Sequence, residues 1–134
     1  MALASVLVVD DDQPFREAIC RVLRGAGYAA EAAADGAMAI KMVRARAPDV
    51  LITDIIMPDG DGIGLINATR QDYPQVRILA ISGRLYLGAL DLLNLATTLG
   101  ADAALAKPLR TEELLDRVAE LTRAAPEAGS GCRR

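Results

Sequence analysis

The chain has 134 residues, room for one ordinary domain and not for two. At 52% hydrophobic it can bury a core, which excludes a disordered segment. Its formal charge of -3, without a dense run of Lys or Arg, argues against nucleic-acid binding by this chain alone, and its strand-sized apolar runs argue against a membrane span.

The start, Met-Ala-Leu-Ala-Ser, lacks the basic and long apolar regions of a signal peptide. Cys20 falls in a helical pattern and Cys132 near the end, so no disulfide framework is expected. The expected compartment is the cytoplasm. Histidine is absent, which removes Ser-His-Asp and Cys-His catalysis, most zinc sites and a histidine phosphocarrier role. Chemistry here must come from carboxylates, hydroxyls and lysine.

Ser5-Val-Leu-Val-Val9 has the length and β-branching of a buried strand and runs into Asp10, Asp11 and Asp12. Pro14 suits the first turn of a helix, and Phe15, Ile19, Val22 and Leu23 form one apolar stripe, stopped by Gly25 and Gly27. Tyr28 to Ala33 is a weak, alanine-rich second strand. Asp35-Gly36 opens a helix carrying Met38, Ile40, Met42 and Val43, and Pro48 precedes a third strand, Val50-Leu-Ile-Thr-Asp54. A loop rich in Pro, Gly and Asp spans 55–62, followed by a helix from Ile63 to Asp72.

Val76 to Ser82 reads as the fourth strand, broken by Gly83. Leu85 to Leu99 reads as a leucine-rich helix ended by Gly100. Ala103 to Ala106 is the fifth strand, reaching Lys107-Pro108. Thr111, Glu112 and Glu113 open a last helix to Ala124. Five strand-helix pairs with parallel-type apolar runs make a single doubly wound α/β domain. Its expected extent is 4–124, with 125–134 as a flexible tail or linker stub.

In an open parallel sheet, ligands sit beyond the carboxyl ends of the strands. Four of the five strands end there on a charged or reactive residue: Asp10, Asp11 and Asp12; Asp54; Ser82; Lys107. Any one of these alone is what a strand end reaching water would carry. Together, several carboxylates crowded on one rim call for a cation, and oxygen donors without His or Cys favour Mg²⁺ (or Mn²⁺) over zinc. A divalent ion beside a carboxylate, a hydroxyl and a lysine is equipment for phosphoryl transfer. Asp12 falls outside the pair and reads as a helix cap, and Cys20 as core.

Leu7-Val-Val-Asp-Asp11, Thr53-Asp54-Ile-Ile-Met-Pro58 with Asp61-Gly62, Ile81-Ser82-Gly83 and Ala106-Lys107-Pro108 resemble, in order and spacing, the motifs of response-regulator receiver domains. The resemblance implies a flavodoxin-like (βα)5 domain with strand order 2-1-3-4-5. It implies Asp54 as phosphoacceptor, charged by a sensor histidine kinase or histidine phosphotransfer protein. Asp10, Asp11, Asp54 and the backbone carbonyl of Ile56 would bind the metal, Ser82 would be the switch hydroxyl, Lys107 the conserved-type lysine, and Lys107-Pro108 a cis bond. Chemistry would be limited to self-directed phosphotransfer and autodephosphorylation.

The surface of helix 85–99, strand 103–106 and helix 111–124 would meet an effector or a fused output domain, with homodimerisation as a further expectation. Two features depart from the pattern. Ala104 stands where receivers commonly carry an aromatic that reports activation, and Tyr86 is the nearest substitute. Ile56 is apolar where many receivers are polar. The competing readings are a haloacid-dehalogenase-like phosphatase, faintly suggested by Asp10-x-Asp12, and a pseudo-receiver that only binds.

Overall fold

The structure is a computed structural model that describes residues 4–58, 62–88 and 90–124. Strand β1 (Ser5–Val9) leads into helix α1 (Gln13–Gly25), β2 (Ala29–Ala33), α2 (Gly36–Ala45), β3 (Val50–Asp54), α3 (Gly62–Asp72) and β4 (Arg77–Ser82). Two very short strands follow, β5 (Tyr86–Leu87) and β6 (Leu90–Asp91), then α4 (Leu92–Leu99), β7 (Ala103–Ala106) and α5 (Thr111–Ala124). The main sheet is parallel in the order β2-β1-β3-β4-β7. Its five strands fall where the apolar runs placed them, within a residue at each end.

Successive side chains of a strand face opposite ways, so continuous apolar runs can feed two cores at once. Val6, Val8, Val50, Ile52, Leu79, Ile81 and Leu105 meet Ile19, Cys20 and Leu23 of α1 and Leu114, Val118 and Leu121 of α5. On the other face Leu7, Val9, Leu51, Ile78 and Ala80 meet α2, α3 and α4 through Ala39, Val43, Leu65, Ile66, Leu92 and Ala96. Each fully buried Leu or Ile contributes about 2 kcal/mol by leaving water. The second strand survives its alanine-rich sequence because β1 pairs with it along its whole length.

Capping sets where helices begin. Asp12 accepts the Phe15 amide and Asp35 accepts the Met38 amide at 2.8 Å, each taking up a donor the first helical turn leaves open. The helix expected over 85–99 forms only from Leu92. Gly88 holds φ at +63° in the turn between β5 and β6, a left-handed conformation that interrupts a helix, and Asp91 caps α4 by accepting the Asn94 amide at 3.1 Å. Leucine periodicity suggested one long helix, whereas a glycine and an aspartate inside it divide the segment into a hairpin and a short helix. Among the described residues no helix is long and apolar enough to cross a membrane. The expected tail at 125–134, with Cys132, lies outside the described residues.

Candidate functional site at the carboxyl edge of the sheet

Register aligns the strand ends. Val9 lies opposite Thr53, so Asp10 and Asp54 leave the sheet side by side. Asp54 is opposite Ile81 and Ser82 opposite Ala106, which brings Lys107 to the same rim; its amide donates to the Ser82 carbonyl at 2.8 Å. Asp10 and Asp54 are both buried, whereas Asp11 is exposed. One carboxylate oxygen from each of the three lies within 4.8 Å of the other two.

Lys107 Nζ donates to Asp10 Oδ2 at 2.9 Å and to Asp54 Oδ2 at 3.1 Å. Each carboxylate is also held by backbone: the Asp12 amide donates to Asp10 Oδ1 at 2.9 Å, and the Ile56 amide to Asp54 Oδ1 at 3.2 Å. Burial pushes the Asp54 carboxyl above its ordinary pKa, further helped by the Asp10 charge, and the Lys107 ammonium only partly opposes this. Burial pulls the other way on Lys107, but the two carboxylates outweigh it and its pKa rises. The directions are compatible because one ammonium is shared between two buried acids: the lysine gains two partners, while Asp54 gains only part of one. Such a cluster still carries excess negative charge, and converging hard oxygen donors fit a small divalent cation such as Mg²⁺.

Sequence reasoning brought Asp10, Asp11, Asp54 and Lys107 to one place, and they meet there. Ser82 is buried at the same edge, but its hydroxyl donates to the Arg84 carbonyl at 2.6 Å and accepts the Arg84 amide at 3.1 Å. Tyr86 stands 60% exposed on the hairpin, while Ala104 packs against the core on the α4 side of the sheet. The side chain of Ile56 is exposed beside Asp54. The Lys107-Pro108 peptide bond is cis. Asp12 is a helix cap, which removes the second member of the dehalogenase-like Asp-x-Asp pattern.

Two contributors, Phe15 and Arg16, lie outside the site residues read from the sequence, and a third, Gly62, stands in a quoted motif without a role. Phe15 belongs to the apolar stripe of α1 by its spacing, yet its ring lies under Lys107 Nζ, 4.3 Å from the centroid. Arg16 donates to the Asp10 carbonyl at 2.7 Å, tying the start of α1 to the acidic loop. Gly62 donates its amide to the Ile55 carbonyl, and a Cβ there would stand 1.7 Å from the Asp54 carbonyl oxygen. A signal for the first was available, since Phe15 follows Pro14 in the turn that faces the strand ends. The clearance at Gly62 is a tertiary fact with no local signature beyond the glycine itself.

The chain belongs to the response regulator receiver domain family, which it matches over residues 6–119. It is similar to the response regulator MprA of Mycolicibacterium vanbaalenii, 35% identical over 127 residues that make up 94% of this chain and 54% of that protein. The chain thus spans about half the length of the curated relatives it matches. Among solved structures, the chemotaxis response regulator CheY4 of Vibrio cholerae superposes with a TM-score of 0.80 at 30% identity, over 90% of this chain and 99% of that one. The receiver domain of the Francisella response regulator 1452 superposes with a TM-score of 0.82 at 27% identity, over 92% and 99%. This is therefore a signalling domain of a two-component response regulator, and the phosphatase and pseudo-receiver readings are set aside.

Proposed function

We propose that Asp54 is the phosphoacceptor, charged by a sensor histidine kinase or a histidine phosphotransfer protein in the cytoplasm. The observation that carries this reading is the Lys107 ammonium bridging Asp54 and Asp10 at the edge where Asp11 joins them. A carboxylate oxygen of Asp54 attacks phosphorus, a new O–P bond forms, and the donor's P–N or P–O bond breaks with the electron pair leaving on the donor. Asp10, Asp11, Asp54 and the Ile56 carbonyl would hold Mg²⁺, which would supply charge neutralisation for the transferring group. Lys107 supplies a positive charge to one phosphoryl oxygen, and Ser82 a hydroxyl to another.

The same site would carry out autodephosphorylation. The change would be read by an effector or a fused output domain over the hairpin, α4, β7 and α5, or by a second copy of the chain. Since Ala104 offers no aromatic ring, Ser82 and the segment from Arg84 to Asp91, including Tyr86, would transmit the state of Asp54. Incubation with Mg²⁺ and phosphoramidate or acetyl phosphate should add one phosphoryl mass to the intact protein, and Asp54→Ala should abolish it. An adduct that persists in Asp54→Ala refutes the assignment.

A further inference from the structure

The Lys107 ammonium meets two chemically different surfaces. On one side are oxygens, Asp10 Oδ2 at 2.9 Å and Asp54 Oδ2 at 3.1 Å. On the other is the ring of Phe15, 4.3 Å from Nζ to the centroid. The lysine stem passes Gly83, where a Cβ would touch Cδ at 3.6 Å. Phe15 is itself well anchored: its amide is capped by Asp12, Pro14 precedes it in the first turn, and Arg16 ties that turn to the Asp10 carbonyl at 2.7 Å.

We propose that Phe15 is a positioning residue whose ring face keeps the Lys107 ammonium at the acceptor while leaving it free to change oxygen partners. The proposal rests on the reading of Asp54 as phosphoacceptor. An aromatic face attracts a cation through its quadrupole but accepts no directed hydrogen bond from it. A carboxylate in that place would tether the lysine, and an aliphatic side chain would offer it little attraction. As the O–P bond forms on Asp54, Lys107 exchanges the carboxylate oxygen for a phosphoryl oxygen, and the ring holds the charge in the site throughout.

Phe15 is the only phenylalanine in the chain, so biosynthetic replacement with fluorinated phenylalanines alters this ring alone. Proteins carrying 4-fluoro-, 3,5-difluoro- and 3,4,5-trifluorophenylalanine keep the ring's shape while the negative charge of its face is withdrawn stepwise. With Mg²⁺ and phosphoramidate, formation of the adduct should slow with each added fluorine. By the third the rate should be down roughly threefold to tenfold, the range of a partly desolvated cation–ring contact, with the protein still fully folded at the assay temperature. Phe15→Leu should fall at the slow end of the series. A rate that is flat or rises across the series, in protein that does take up phosphate on Asp54, overturns the positioning role alone. Absence of any adduct on the native protein overturns the acceptor reading and this proposal with it.

Discussion

The hydroxyl of Ser82 and the backbone of Arg84 close a small ring, donating at 2.6 Å and accepting at 3.1 Å, at the point where β4 leaves the sheet. A buried side chain is thereby committed to its own loop. For Ser82 to donate to a phosphoryl oxygen on Asp54, the Arg84 carbonyl must give up that donor and the loop must move. One hydrogen bond replaces another, so the exchange costs little and can be driven by a modest local gain.

Ser82→Ala should lower stability by about 1 kcal/mol, the net value of a buried hydrogen bond, visible as a lower urea midpoint. The adduct should still form, but the phosphorylation-dependent change in amide exchange over 84–91 should disappear. An equal response in the variant would remove Ser82 from the relay.

Burial raises the folded-state pKa of Asp54 despite Lys107. A raised folded value means the native state holds the proton more tightly than the unfolded chain. The contribution of this group is therefore fully present below the unfolded pKa of about 3.9 and is lost as pH rises through the folded value. Asp54→Asn should accordingly be more stable than the native protein in chelator at neutral pH, with the gap closing as pH falls through the raised folded value of Asp54 and gone below about 4. Thermal melts across that range test this, and a variant less stable at pH 7 contradicts it.

Gly62→Ala places a methyl group against the Asp54 carbonyl, where the available distance is 1.7 Å. Backbone cannot give way as a flexible side chain can, so α3 or the loop after β3 must shift. The expected loss is roughly 3 kcal/mol or more, measured by urea unfolding, with slower uptake of phosphate because the Ile56 carbonyl moves with the loop. A native urea midpoint would mean that the close approach is relieved without strain.

Ile56 exposes 39% of its surface beside Asp54. An apolar side chain there obstructs an attacking water and cannot orient one, so the phosphoaspartate should be long-lived. Ile56→Asn should shorten its half-life severalfold, followed as loss of the adduct mass after the donor is removed. An unchanged and already short half-life would refute the role of the side chain.

Most of the fold was legible because a parallel strand, buried on both faces, writes an uninterrupted apolar run: Val50 to Asp54 could hardly be anything else. The residues of the site were legible for the same reason, since charged residues that end such runs collect at one rim. The segment from Leu85 to Asp91 was misread because its leucines carry a helical composition while Gly88 and Asp91 carry a turn and a cap, and local backbone chemistry prevailed. Nor could composition show the two-sided environment of Lys107, which depends on α1 folding back over a strand that is far away in sequence.

The hairpin has one more consequence. With 8 residues, α4 is only about 12 Å long, and among the described residues the tongue before it is held by two residue pairs and a bond from the Leu92 amide to the Leu85 carbonyl. So short a ribbon has little stability of its own, and opening it costs a small fraction of global unfolding. A binder that grips Tyr86 or Leu90 would thus select its conformation as well as its surface. A partner shaped to a continuous helix over this segment would find the wrong surface here, so selectivity among partners can reside in this tongue.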